Sequence, residues 1–182
     1  MNYHFISDDS FFMSSVRILY DKKDVKSFFH NINEESKLFF PQPGDVVVVV
    51  VNNVLQRSRI IKNPMLLRCR LIVIMDIPMI PSRLDYFPWL LPKNISIEAF
   101  LAVMQKAVRS VIYRGEVSCK TLRMFEDLCN GKSASRLSGE VGIPIKSVYR
   151  IKQNIFREYG LLNCNSIGIL LCRDILSMKV PI

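Results

Sequence analysis

Cationic and amide side chains recur on one side of a predicted helix at about 145–159. Their offsets of 0, 4, 7 and 11 place them on one face, because a helix turns about once every 3.6 residues. The four are Lys146, Arg150, Gln153 and Arg157. Arginine and glutamine can bond base edges in a major groove, and lysine can neutralise phosphate. The face predicts nucleic-acid binding, with a merely solvated helix face as the alternative.

The opposite side of this helix is apolar, which predicts that it is buried. Its residues are Ile145, Val148, Ile151, Ile155 and Tyr159. Just upstream, the Gly-Ile-Pro sequence at 142–144 predicts a turn, because proline cannot occupy a helix interior. A preceding helix runs to about 141 with Ser133 as its cap. Further helices are predicted at about 120–130 and 166–178.

The first part of the chain has a different organisation, in which short apolar runs alternate with helical patterns. Predicted strands lie at 3–6, 45–51, 71–75 and 89–91, and predicted helices at 10–20 and 97–112. Runs that are apolar on both faces are typical of the centre of a parallel sheet. The alternation predicts a doubly wound α/β domain at 1–112. A linker at 113–116 and an all-α domain of four helices at 117–182 would follow.

The two helices of the α/β domain have predicted buried sides. Ser96 is a suitable N-cap for the second helix, whose apolar stripe begins at Ile97 and includes Val111. In the first helix, the apolar side chains available for burial are Phe11, Val16, Ile18 and Leu19.

The charge balance suits a polyanionic partner. The chain has 182 residues, of which 49% are apolar, and a formal net charge of +9. Between Gly131 and Gly160 there are six Lys or Arg and two Asp or Glu. A basic surplus of this kind is expected of a nucleic-acid-binding protein, and equally of a merely basic soluble protein. The longest apolar run is far shorter than the roughly 20 residues of a membrane-spanning helix, and acidic residues interrupt the N-terminus. We therefore expect a cytoplasmic protein without membrane contact.

Cysteine and histidine usage argues against a metal site. No Cys-x-x-Cys pair occurs and the chain has two histidines, so buried free thiols are predicted instead of zinc ligands or disulfides. The cysteines are Cys69, Cys119, Cys129, Cys164 and Cys172. A Gly-rich phosphate loop and a nucleophile elbow are also missing from the sequence. The prediction is a protein that is not an enzyme and has no cofactor.

The second half of the chain resembles the LuxR/FixJ-type helix-turn-helix. The matching positions are Gly131, Lys132, Ser133, Leu137, Val141, Gly142, Ile143, Ser147, Val148, Ile155, Gly160 and Leu161. Thr121, Ser138 and Ile151 depart from the usual residues of that family, which leaves the preferred DNA sequence open. The resemblance implies a fourth helix that serves dimerisation. It also implies DNA contacts from Lys132, Ser133, Lys146, Ser147, Tyr149, Arg150, Lys152, Gln153, Asn154 and Arg157.

The first half resembles a receiver domain in the order of its elements. Asp8 and Asp9 follow the first strand, where receivers hold an acidic pair, and Lys93 follows the last strand. The phosphate acceptor would fall within 50–53, which reads Val-Val-Asn-Asn and has no carboxylate. The resemblance therefore implies a pseudo-receiver that is not phosphorylated and acts in association. Asp8 and Asp9 are weak candidates for a cation site, with solvated carboxylates as the alternative.

Regulators with this layout resemble the RcsA/BglJ-like auxiliary group, whose members pair with a full response regulator. Double-stranded DNA and either a homodimer or a heterodimer with a response regulator are the implied partners. The alternative is an interaction protein that captures another regulator and binds DNA poorly alone. A further basic cluster in the first half either extends the DNA footprint or is a solvated surface. It consists of Arg57, Arg59, Lys62, Arg68 and Arg70.

Overall fold

A computed structural model describes residues 1–21, 25–33, 39–80, 85–163 and 165–182. Its first part contains a five-stranded sheet in which every neighbouring pair is parallel. The strand order is β2-β1-β3-β4-β5. The strands are β1 Tyr3–Ser7, β2 Ser27–Asn31, β3 Val46–Val50, β4 Arg70–Met75 and β5 Trp89–Pro92. This order is that of a doubly wound fold of the flavodoxin type.

Three helices accompany the sheet and lie on both of its faces. They are α1 Ser10–Asp21, α2 Val54–Ile61 and α3 Ile97–Arg109. A short 3₁₀ helix, Pro64–Arg68, follows α2. α1 and α3 pack on the face that carries Val46, Val48 and Val50, while Ile61 of α2 belongs to the cluster on the other face. The predicted α/β architecture is therefore confirmed, and β2 and α2 are additions to the predicted elements.

The second part of the chain consists of four helices, as the sequence predicted. They are α4 Cys119–Cys129, α5 Ala134–Val141, α6 Ile145–Glu158 and α7 Ser166–Leu176. Ser118 and Asn165 cap α4 and α7, and each side chain accepts a backbone N–H from the first turn of its helix. Two short strands, β6 Glu116–Val117 and β7 Val180–Pro181, pair in parallel beside these helices.

Helices of the second part share a hydrophobic cluster with one face of the sheet. Val47 and Val49 of β3 join one hydrophobic cluster with Leu171 and Ile175 of α7, and α2 lies against α7. In the described residues that connect β2 to β3 and β4 to β5, there is no helix that covers this face. α7 therefore packs beside α2 and shares a hydrophobic cluster with this face of the sheet.

The segment between the two parts is anchored by Arg114, whose exposed fraction is only 8%. Its guanidinium donates hydrogen bonds to the carbonyl oxygens of Leu66, Leu67 and Cys69, at the end of the 3₁₀ helix. Burial lowers the pKa of this arginine to about 10. The cation thus caps a helix end and ties the connecting segment to the α/β part.

Several predicted burial positions are wrong. The exposed fraction is 85% for Phe11, 70% for Ile18, 55% for Ile97 and 80% for Val111. α3 ends at Arg109, earlier than predicted, because the Ser110 hydroxyl donates to the carbonyl of Lys106 and its N–H donates to that of Ala107. Val111 thus lies outside the helix and away from the apolar stripe.

The cysteines are only partly buried. Cys69 and Cys172 are buried free thiols, whereas Cys129 is half-buried and Cys119 is exposed. Cys164 lies outside the described residues. In the part of the chain that the structure describes, no helix is long and apolar enough to cross a membrane.

Candidate nucleic-acid interface

The turn between α5 and α6 sets the position of the candidate reading helix. α5 ends at Val141 and is capped by Gly142, whose φ of 65° lies in the left-handed region that favours glycine. Pro144 is the residue directly before α6. Because proline cannot occupy a helix interior, α5 and α6 cannot join into one continuous helix through it. The predicted arrangement of two helices joined by a Gly-Ile-Pro turn is therefore present.

Ser138 holds this turn from inside α5. Its hydroxyl donates a hydrogen bond of 2.7 Å to the carbonyl oxygen of Ile143. Its own carbonyl accepts the backbone N–H groups of Gly142 and Ile143. Three hydrogen bonds thus fix the chain between the two helices. The only sequence signal for this role is the departure from the family's usual residue at Ser138.

α6 buries the side that faces α5 and α7. Val148 and Phe156 are each 1% exposed, and Tyr159, just past the helix, is fully buried. Ile151 and Ile155 are half-buried against the same cluster, while Ile145 is 37% exposed at the start of the helix. The apolar stripe is therefore largely as predicted, with Phe156 added and Ile145 at its edge.

The other side of α6 carries most of the predicted DNA contacts. The exposed ones are Lys146, Tyr149, Arg150, Gln153, Asn154 and Arg157, and the half-buried ones are Ser147 and Lys152. The ammonium of Lys152 lies 5.4 Å from the ring centre of Tyr149. Within the described part of the chain, Lys146, Arg150 and Arg157 form no ion pair, so their charges are available to an external anion.

Lys132 and Ser133 lie outside α6, directly before the start of α5. The Lys132 ammonium lies 3.1 Å from the Asp127 carboxylate and 2.6 Å from that of Glu140. Hydrogen bonds from Lys132 to Glu140 and Asp127 raise the pKa of this lysine. The Ser133 hydroxyl caps α5 by accepting the N–H of Arg136 at 3.2 Å. A phosphate at this position would have to compete with two carboxylates for Lys132.

The C-terminal end of α6 is docked against the α/β part. The Ile80 N–H donates to the carbonyl of Gly160, and the Leu162 N–H donates to that of Pro78. Glu158 accepts the hydroxyl of Tyr86 and, at 2.7 Å, the ammonium of Lys179.

The Lys179 ammonium is almost fully buried and lies 4.6 Å from the ring centre of Tyr86. Gln153 and Arg157 line a shallow depression together with Ile80. The first half of α6, which carries Lys146, Tyr149 and Arg150, is therefore the more open half. These contacts join distant segments, and no local sequence pattern could have indicated them.

Asp8 and Asp9 have protein partners that occupy their carboxylates. Asp8 accepts the backbone N–H groups of Asn52 and Asn53 and the Asn52 side-chain amide. Asp9 caps α1 and forms a 2.8 Å ion pair with Lys93. The hydrogen bond from Lys93, followed by that from the backbone of Phe12, lowers the pKa of Asp9. The structure thus brings Asp8, Asp9 and Lys93 close to one another. The side-chain amide of Asn52 lies where a third carboxylate would complete a cation site. Among the described residues there is no group of three or more His, Cys, Asp or Glu suited to a metal ion.

The second basic cluster is divided by burial. Arg57 is 3% exposed and donates to the Val51 carbonyl at 3.0 Å. Arg70 is half-buried and donates to the carbonyls of Gly44 and Ser110. Arg59, Lys62 and Arg68 remain exposed. Two of the five cations therefore satisfy backbone carbonyls and form no part of a continuous basic surface.

No protein-family model matches the chain, and no curated protein matches it either. Solved structures that resemble it include RcsB from Salmonella enterica serovar Typhimurium bound to promoter P1flhDC, with 10% identity, TM-score 0.46 and coverage of 95% of this chain and 98% of that one. Full-length FixJ from B. japonicum has 12% identity, TM-score 0.38 and coverage of 95% and 97%. The structure of two RcsB dimers bound to two parallel DNAs has 13% identity and a TM-score of 0.41, and the match covers 95% of this chain and 98% of that one. Similarities at this level do not establish the function of this chain.

Proposed function

We propose that this chain is a DNA-binding transcription regulator of the LuxR/FixJ type, with α6 as the helix that enters the major groove. The observation that carries the proposal is the two-sided character of α6. Val148 and Phe156 anchor one side in the core, while the other side presents amide groups and three cations that have no ion-pair partner among the described residues. Recognition of base edges requires a helix that is fixed by its buried side and exposes hydrogen-bond donors on the other side.

Within this proposal the α/β part is a pseudo-receiver that acts in association and has no catalytic step. Asn52 stands beside Asp8 where a phosphate acceptor would need a carboxylate. Lys93, the lysine of the receiver-like site, forms its ion pair with Asp9. A cytoplasmic location, predicted from the sequence, belongs to the same proposal.

The test is fluorescence anisotropy of the full chain with duplex DNA of mixed sequence across a salt series. We expect affinity to fall steeply with salt, because each neutralised phosphate releases a counterion. Lys146→Ala should weaken binding to every sequence and reduce the salt slope by about one. Arg59→Ala is the matched control, since it removes an exposed cation from the α/β part. Equal losses in the two variants would contradict the role of α6.

Base reading is tested on a selected operator with Arg150→Ala. We expect the variant to lose about 1–3 kcal/mol on the operator and much less on random DNA, because Arg150 would contact a base edge. A loss of the same size on both kinds of DNA would reduce Arg150 to a phosphate contact.

A second candidate function is capture of another regulator with little DNA binding by the chain alone. It is favoured by the docking of the C-terminal end of α6, where Glu158 and Gly160 bind the α/β part. Absence of DNA binding at low salt by a folded, monodisperse chain would favour this function over the first. A response regulator that restores DNA binding when added would then identify the heterodimer.

A further inference from the structure

The C-terminal end of α6 is docked against the α/β part at two places. Just past the helix, Leu161 lies directly opposite Met79 in a short antiparallel bridge, with a backbone hydrogen bond on each side of the pair. In the last turn of the helix, the Glu158 carboxylate accepts the hydroxyl of Tyr86. These two docking contacts fix the end of α6 and involve no residue from its first half.

The first half of α6 lies well away from the docking contacts. Arg150 precedes Glu158 by eight residues, which corresponds to about 12 Å along the helix axis, and Lys146 is one further turn away. The side chains of Lys146, Tyr149 and Arg150 are exposed in the docked chain. The two cations also have no ion pair within the part of the chain that the structure describes. An external polyanion can therefore reach them while the docking contacts are intact.

Separation of the two parts would break further contacts between α7 and α2. The Arg173 guanidinium donates to the hydroxyl of Ser58 at 3.2 Å, and the Asp174 carboxylate lies 3.7 Å from the ammonium of Lys62. Leu171 of α7 shares a hydrophobic cluster with the sheet, and separation would expose part of that cluster to water. If DNA bound only to separated chains, the apparent affinity would be reduced in proportion to their small fraction.

We propose that α6 binds DNA while its docking contacts stay intact, so that the docked α/β part positions the reading helix. The inference rests on the proposed function and concerns the control of its site, which needs no opening step. In a chain gated by separation, weaker docking contacts would raise DNA affinity, because more chains would be open. Here weaker docking contacts lower DNA affinity, because α6 loses a support. The sign of the change distinguishes the two mechanisms.

The first experiment locks the docked form with a disulfide in the double variant Met79→Cys/Leu161→Cys. The two residues form a non-hydrogen-bonded antiparallel pair, whose Cα atoms are typically about 4.5 Å apart and can be bridged. The reduced form of the same variant is the matched control. Peptide mass mapping verifies that the disulfide joins positions 79 and 161, because the chain has five cysteines of its own.

Binding of both forms to duplex DNA of mixed sequence is measured by fluorescence anisotropy at low salt. We expect the oxidised and reduced forms to agree within about twofold. A loss of about tenfold or more on oxidation, reversed by dithiothreitol, overturns the proposal, because it shows that the parts must separate. Absence of DNA binding by wild type and by both forms would instead refute the proposed function itself.

The second experiment weakens the docking contacts with Tyr86→Phe, which removes the hydroxyl that Glu158 accepts. We expect DNA affinity to fall about fivefold, the equivalent of one lost hydrogen bond, with an unchanged salt slope because no cation is removed. Tyr113→Phe is the matched control, since the Tyr113 ring is half-exposed and its hydroxyl has no hydrogen bond to any described residue. An unchanged or raised affinity in Tyr86→Phe overturns the proposal.

The two variants combined test whether Tyr86 acts through docking. Oxidation of Tyr86→Phe/Met79→Cys/Leu161→Cys should restore the affinity that Tyr86→Phe loses, because the disulfide replaces the missing docking contact. Reduction of the same variant should abolish the recovery. Circular dichroism of each variant verifies that its fold is retained. Failure of the disulfide to restore affinity would contradict a positioning role of Tyr86.

Discussion

At the scale of single residues, Asn52 sets the charge and the hydrogen bonding next to Asp8. Its backbone and side-chain N–H groups both donate to Asp8. An aspartate at this position would remove the amide donor and place a second negative charge against Asp8. The two carboxylates would repel each other in the absence of a cation and would bind one together.

We therefore predict that Asn52→Asp lowers the free energy of unfolding by about 1 kcal/mol in the absence of divalent cations. Millimolar Mg²⁺ should restore the loss. Urea unfolding with and without Mg²⁺ measures both effects. Asn52→Ala, which removes the donor without adding charge, should show no response to Mg²⁺, and an equal response in both variants would refute the explanation.

His4 is a second residue with a measurable consequence. It is buried, with Nε2 3.1 Å from the Asp45 carboxylate and Nδ1 3.4 Å from a ring nitrogen of His30. Burial lowers the pKa of His4, and the hydrogen bond and charge of Asp45 only partly oppose this effect. The folded state thus favours the neutral ring, whereas the unfolded chain takes up a proton at about pH 6.5.

Because the unfolded state binds more protons, the contribution of His4 is complete above the unfolded pKa and decreases as pH falls below it. We predict that the free energy of unfolding falls between about pH 7 and pH 5. His4→Phe keeps the ring stacking on Phe28 and should remove a part of this slope. An identical pH profile in His4→Phe and wild type would assign the slope to other groups.

At the scale of elements, Ser138 shows how one side chain positions a helix. Its hydroxyl is the only side-chain group, among the described residues, that bonds to the Ile143 carbonyl in the turn. We predict that Ser138→Ala lowers the free energy of unfolding by about 1 kcal/mol, as expected for a lost hydrogen bond. Operator affinity should fall as well, because α6 starts two residues later. Ser135→Ala, on the exposed side of α5, is the control. An unchanged affinity would show that the backbone alone orients α6.

The elements with a strong local signal were predictable from sequence. The five consecutive valines of β3 and the two-sided pattern of α6 are local, so their type and extent follow from a few residues. β2 was missed because its residues are all half-buried, which gives neither an apolar run nor an alternation. α2 was missed because a buried arginine, Arg57, replaces an apolar residue in its stripe.

The candidate site was predictable to the same degree. Periodicity selected the outward face of α6, and the structure exposes Lys146, Arg150 and Arg157 there. Periodicity could not indicate that Lys132 pairs with two carboxylates, one of them eight residues away. It also could not indicate that Phe11 and Ile18 are exposed, because burial depends on elements distant in sequence.

At the scale of the whole molecule, the shared hydrophobic cluster makes the two parts thermodynamically dependent. Leu171 of α7 is 1% exposed and belongs to the same cluster as Val47 and Val49 of the sheet. Truncation of the Leu171 side chain should leave a cavity in the shared cluster and thereby lower the stability of both parts. We predict that Leu171→Ala lowers the free energy of unfolding by about 2–5 kcal/mol.

The single tryptophan, Trp89 in β5, reports on the sheet, while far-ultraviolet circular dichroism is dominated by the helices. Both signals should shift to lower denaturant together in Leu171→Ala, in one transition. Leu55→Ala, on the exposed side of α2, should leave both in place. A shift of the helical signal alone would mean that the two parts unfold independently.

The way the sheet is covered also bears on how such a gene can change over time. Gene segments that encode separate domains are readily recombined when each domain has a hydrophobic core of its own. Such a domain can be joined to a new neighbour without losing stability. In this chain a foreign module attached after residue 112 would expose to water a part of the hydrophobic cluster that contains Val47 and Val49. The two halves are therefore expected to be inherited as a pair, and substitutions in α7 to be accompanied by compensating ones in α2.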